Sequence, residues 1–131
     1  MLLSEKFRKF ALACEDSRSR IARESRIGYG VLKKFLDGEA GIHIETVDKL
    51  AEFLKLELVE KKSSRRRKGD TISEQLKAYL EDCKDSYYQI AQDTNVERVT
   101  IRRFLRGERG IELKTADRLA KYLSLDLRKK K

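Results

Sequence analysis

Five arginines fall between positions 98 and 109: Arg98, Arg102, Arg103, Arg106 and Arg109. A guanidinium is planar, permanently charged and carries its N–H donors in a fixed fork. It therefore grips phosphates, carboxylates and purine edges with two parallel hydrogen bonds. Arg98 and Arg102 stand four residues apart, which places them on one face if the segment is helical. Ile101 and Phe104 interleave with them and turn toward the core. This is the chemistry of a surface that meets a polyanion.

No other group of residues carries a reaction. There is no nucleophile paired with a base, no glycine-rich phosphate loop and no pair of carboxylates at catalytic spacing, so no enzymatic activity is expected. His43, Cys14 and Cys83 have no ligand-forming neighbours. The expectation is no metal and no cofactor. The cysteines read as small core residues on the apolar face of a first helix, and His43 as a helix cap.

The charge agrees with the arginines. The 131 residues carry 31 Lys/Arg against 22 Asp/Glu, a net charge of +9. Residues 1–60 hold 11 of each sign, residues 61–70 hold 6 against 1, and residues 71–131 hold 14 against 10. Such an excess favours nucleic acid or an acidic surface. No apolar run approaches the ~20 residues of a membrane span, and Met1–Phe10 does not read as a secretory signal. Two cysteines make no disulfide framework, which points to a reducing cytoplasm.

The chain repeats. Shifted by 69 residues it aligns with itself without a gap, and 20 of the 55 positions between Ser4 and Leu58 are identical. Cys14 meets Cys83, Ile21-Ala22 meets Ile90-Ala91, and Phe35-Leu36-Asp37-Gly38 meets Phe104-Leu105-Arg106-Gly107. This divides the chain into residues 1–59, a basic linker over 60–70, and residues 71–131.

Each repeat predicts four short helices. Thr71-Ile-Ser-Glu74 fits a capping box that opens the first. Ser17 and Ser86 are N-caps for the second, which ends near Ser25 or Thr94. A three-residue turn follows, then a third helix ending before Gly38 or Gly107. The fourth spans about 44–55 or 113–124. Leu56-Glu-Leu58-Val59 and Leu125-Asp-Leu127-Arg128 alternate, which predicts a short strand; an extended tail with its leucines tucked down is the alternative.

The second and third helices with their tight turn form a helix-turn-helix pattern. The segment from Ser86 to Gly107, followed by Leu113 to Leu123, resembles the Cro/cI repressor-like (XRE) family, and the resemblance extends over both repeats. It implies an all-α fold: two lambda-repressor-like helix-turn-helix domains in tandem. In such a fold Ala22 and Ala91 are small where the third helix crosses the second. Ile21, Ile27, Leu32 and Phe35, or Ile90, Val96, Ile101 and Phe104, fill the wedge. The first turn residue favours Gly or Asn in a left-handed conformation; Asn95 fits, whereas Arg26 departs from the pattern.

The resemblance also implies that the third helix enters the DNA major groove. In repeat two this assigns Glu97, Arg98, Val99, Thr100, Arg102 and Arg103 to the reading face. Ser86 and Tyr87 would meet a phosphate, and Arg106 and Arg109 would clamp the backbone. In repeat one the matching residues are Gly28, Tyr29, Gly30, Val31, Lys33 and Lys34, with Ser17, Arg18 and Arg20 at the start of the second helix. Arg65, Arg66, Arg67 and Lys68 of the linker would contact phosphates.

The expected partner is double-stranded DNA, with no membrane and no evident small-molecule ligand. The expected role is a sequence-specific transcriptional regulator, most simply a repressor, nucleoid-associated and of prokaryotic or phage type. The alternative is a tethering module, antitoxin-like or accessory to a mobile element, in which one repeat holds DNA and the other a protein. An 11-residue linker reaches about 36–40 Å at full stretch. It allows the two tails to pair across a pseudo-two-fold axis, giving an intramolecular pseudo-dimer in preference to a homodimer.

Overall fold

A computed structural model describes residues 2–61 and 69–130. Its helices in the first repeat are α1 (Leu3–Ala13), α2 (Arg18–Ser25), α3 (Tyr29–Leu36) and α4 (Ile44–Leu54), followed by strand β1 (Leu56–Glu60). The second repeat gives α5 (Ile72–Asp82), α6 (Tyr87–Thr94), α7 (Arg98–Leu105), α8 (Leu113–Tyr122) and β2 (Leu125–Lys129). The chain is mostly helical, and both alternating tails form strands. Glu60 ends β1 rather than opening the linker.

Local chemistry sets the boundaries. The Ser17 hydroxyl accepts from the Arg20 N–H at 3.2 Å, and the Ser86 hydroxyl from the Gln89 N–H at 3.1 Å. Each satisfies one of the amides that a helix start leaves without an internal partner. Thr71 accepts from the Glu74 N–H at 3.1 Å; the Glu74 carboxylate in turn accepts a hydrogen bond from the Thr71 hydroxyl rather than reaching the backbone. His43 caps α4, its Nδ1 accepting from the Glu45 N–H at 3.3 Å. Gly38 and Gly107 follow α3 and α7 with φ of 77° and 73°, the region where glycine carries no Cβ penalty. Cys14 and Cys83 stand one residue past the ends of α1 and α5, half-buried against the core.

The two repeats share one core. β1 and β2 pair antiparallel, and Leu58 lies opposite Leu127, its own equivalent 69 residues on. A second pairing of equivalents, His43 with Glu112, lies outside the strands. It is flanked by Ile44 N–H donating to the Ile111 carbonyl and Leu113 N–H to the Ile42 carbonyl, both at 2.8 Å. These pairings define an approximate two-fold relation between the repeats. The first helix of each repeat crosses it: α1 packs on α8 and α5 on α4. Phe7, Phe35 and Phe104 are fully buried in the common core.

Two serine–aspartate clamps fix the crossing helices. Ser4 donates its N–H at 2.9 Å and its hydroxyl at 2.7 Å to the Asp117 carboxylate. Ser73 donates its N–H to Asp48 at 2.9 Å, and its hydroxyl to the same carboxylate. Each aspartate thus faces the positive end of the other repeat's first helix. Burial nevertheless raises both carboxyls above the ordinary range, against the serine hydrogen bonds that lower them. A carboxyl whose pKa is raised on folding binds protons more tightly in the native state. Its stabilising contribution is complete below the unfolded pKa and is lost as pH rises through the folded one. Asp48→Asn with Asp117→Asn lacks that contribution. Its stability relative to the native chain should therefore fall as pH drops from neutrality through the carboxylate range. Chemical denaturation at a series of pH values measures this, and a constant difference would contradict it.

Candidate nucleic-acid interface

Helices α3 and α7 are held by what lies beneath them. Ile27 and Val96 of the two turns are buried, as are Ile21, Leu32 and Phe35 with Ile90, Ile101 and Phe104. Ala22 is buried and Ala91 half-buried at the crossing of the second and third helices. Arg26 adopts φ 62° and Asn95 φ 60°. The arginine takes the left-handed conformation despite its Cβ, at a cost of about 1–2 kcal/mol. Arg8 of α1 donates to the Phe35 carbonyl at 2.7 Å and lies 4.7 Å from its ring centre. Its equivalent Lys77 lies 5.1 Å from the Phe104 ring centre. Arg118 of α8 donates to the Asn95 carbonyl at 3.3 Å and steadies the second turn.

In repeat two the structure presents Glu97, Arg98, Val99, Arg102 and Arg103 to solvent along α7, with Thr100 half-buried. Ser86 and Tyr87 are exposed where α6 begins, and Arg106 and Arg109 are exposed after α7. Among the described residues none of the five arginines forms an ion pair. Thr100, Arg103 and Arg109 line a cleft of about 340 Å³ with His43, Glu112 and Thr115. The basic edge of α7 therefore adjoins the His43–Glu112 pairing on the two-fold relation. His43 lies so close over Gly110 that a Cβ there would collide with its ring.

Repeat one differs in its electrostatics. Gly28, Tyr29, Gly30, Val31, Lys33 and Lys34 are exposed, as are Ser17 and Arg20. Arg18, at the first position of α2, is bound to Asp37 at 2.9 Å, and Lys33 to the other oxygen of the same carboxylate at 3.3 Å. Arg20 pairs with Asp16 at 3.3 Å. The Arg18 and Lys33 hydrogen bonds hold Asp37 below the usual carboxylate range. Arg65, Arg66, Arg67 and Lys68 lie outside the described residues.

Two participants escape the sequence reading. Tyr88, with 61% of its surface exposed, lies under Arg98, whose guanidinium carbon is 5.8 Å from the ring centre. A contact three residues past the turn between two helices has no sequence signature. Asp37 was visible only as an acid aligned with Arg106; its grip on Arg18 requires the fold. No helix among the described residues is long and apolar enough to cross a membrane.

No curated protein and no solved structure gives a significant match to the chain. Residues 76–130 match a family described as helix-turn-helix. The match runs from Leu76 in α5 to the residue after β2, and so takes in α6, its left-handed turn at Asn95 and the arginine-bearing α7.

Proposed function

We propose that this chain is a sequence-specific double-stranded DNA-binding transcriptional regulator of the XRE type, acting by binding and not by catalysis. Its two helix-turn-helix units work as a pseudo-dimer within one polypeptide. The observation that carries this reading is the exposed arginine face of α7, without an ion pair among the described residues, beside the two-fold relation between the repeats. The helix-turn-helix match over the same segment supports it. Arg98 and Arg102 read guanine edges, while Ser86, Tyr87, Arg106 and Arg109 hold the backbone. Bound across a promoter, the chain excludes the polymerase and represses.

A two-headed reader that carries its symmetry internally needs no second chain. One chain should occupy an asymmetric site of about 15–20 bp, two half-sites roughly one helical turn apart. Sites are selected from random duplex DNA at stated salt, and stoichiometry is read by sedimentation. One chain per site is expected; two chains per site would overturn the pseudo-dimer.

A second reading keeps DNA for repeat two and gives repeat one a protein partner. It is favoured by Tyr29 and Val31, 48% and 50% exposed on a reading helix with few free cations. A selected site protected on one half only would support it.

A further inference from the structure

Resting on the DNA-binding reading above, we infer that Asp37 is an affinity-setting residue that withholds two DNA-facing cations of repeat one, Arg18 and Lys33, from DNA. The carboxylate stands after α3 and takes both Arg18, at the start of α2, and Lys33, on the reading helix. Those two positions serve a helix-turn-helix unit differently. The start of the second helix meets a backbone phosphate, because its free N–H groups and dipole favour an anion there. The reading helix meets the groove. One carboxylate occupies a cation from each.

The second repeat has the reverse arrangement. The residues equivalent to Arg18, Lys33 and Asp37 are Tyr87, Arg102 and Arg106. An arginine replaces the carboxylate, and Arg102 and Arg106 have no ion pair among the described residues. The same place in the fold therefore supplies a phosphate clamp in one repeat and a phosphate competitor in the other. Asp37 stays ionised at neutral pH, since both cations favour its charged form. Its side chain is 28% exposed and lies outside the buried core, so its replacement leaves the core packing intact.

The test uses the full chain and a selected duplex site. Each phosphate contact steepens the logarithmic salt dependence of binding by about 0.9. Asp37→Asn frees Arg18 for a phosphate and Lys33 for the groove, and should steepen the slope by about 1, with affinity at 100 mM salt rising about ten-fold or more. Asp37→Arg copies repeat two and should steepen it by about 2. Protection of the repeat-one half-site should strengthen in both variants. Adding Arg18→Ala and Lys33→Ala to Asp37→Asn should abolish the gain. A slope and affinity unchanged in Asp37→Asn would overturn the inference. So would a gain that survives removal of both cations, since the triple variant carries one positive charge fewer than the native chain and the gain would then owe nothing to Arg18 or Lys33. If the native chain fails to bind duplex DNA, the parent reading fails and the inference with it. If native binding depends on Arg98 and Arg102 while Asp37→Asn changes nothing, only the inference fails.

Discussion

Leu58→Asp should unfold α3 and α7 in one step. Leu58 is 1% exposed, and it sits opposite Leu127 at the centre of the β1–β2 pairing. Losing the leucine forfeits about 2 kcal/mol of burial. A carboxylate left there without a partner adds several kcal/mol of desolvation. Together these consume most of the 5–15 kcal/mol that typically holds a folded domain. The strand is also common property: α1 touches β2, α5 touches β1, and the first helix of each repeat lies on the fourth of the other. Damage at Leu58 therefore reaches α3 through α4 and α1, and α7 through α5. The milder Leu58→Ala, costing about 2–5 kcal/mol, keeps the fold measurable. Amide hydrogen exchange in α3 and α7 should then show the same loss of protection. Independent domains on a tether would behave otherwise: α7 would keep its protection while α3 lost it, and that result would refute the shared core.

The helices were legible because their signals are local. Ser17, Ser86 and Thr71 announce helix starts by side-chain chemistry alone, and the 3.6-residue spacing of Phe7, Ala11, Leu76 and Leu80 announces a buried face. That spacing does not say what covers the face. The Ser4–Asp117 clamp joins residues 113 positions apart, and nothing in either segment points to the other. For the same reason α1 could be expected against its own repeat's α4, whereas it lies mainly on α8. Alternation in β1 places Glu57 toward solvent, yet Glu57 is 1% exposed. Its cross-strand neighbour Arg128 donates to it at 3.0 Å, so the outer face of the pair is covered as well. The basic face of α7 was legible residue by residue. The neutralised face of repeat one was not: Arg18 and Lys33 count as free cations in sequence, and only the fold brings Asp37 to both.

Replacing Arg98 and Arg102 with alanine should separate sequence reading from simple attraction. Both side chains are exposed on α7, one turn apart, and neither has an ion pair among the described residues. Arg98 lies over Tyr88, a contact worth about 0.5–1 kcal/mol at an exposed site. More important, the ring limits the orientations the guanidinium must give up on binding. Each bidentate contact to guanine discriminates by about 1–3 kcal/mol. The double variant should therefore lose about 2–6 kcal/mol on its selected site, roughly 30-fold to 10⁴-fold in affinity. On scrambled duplex of the same length the loss should be much smaller, because nonspecific binding draws on all the phosphate contacts of both repeats. Tyr88→Ala should give a weaker copy of the same pattern, since it loosens Arg98 without removing its charge. Dissociation constants on both duplexes across a salt series decide the matter. Equal losses on the two, with the salt slope shallower by about 1 per arginine, would make these side chains phosphate clamps. The specificity would then have to come from Val99, Thr100 or the shape of the DNA.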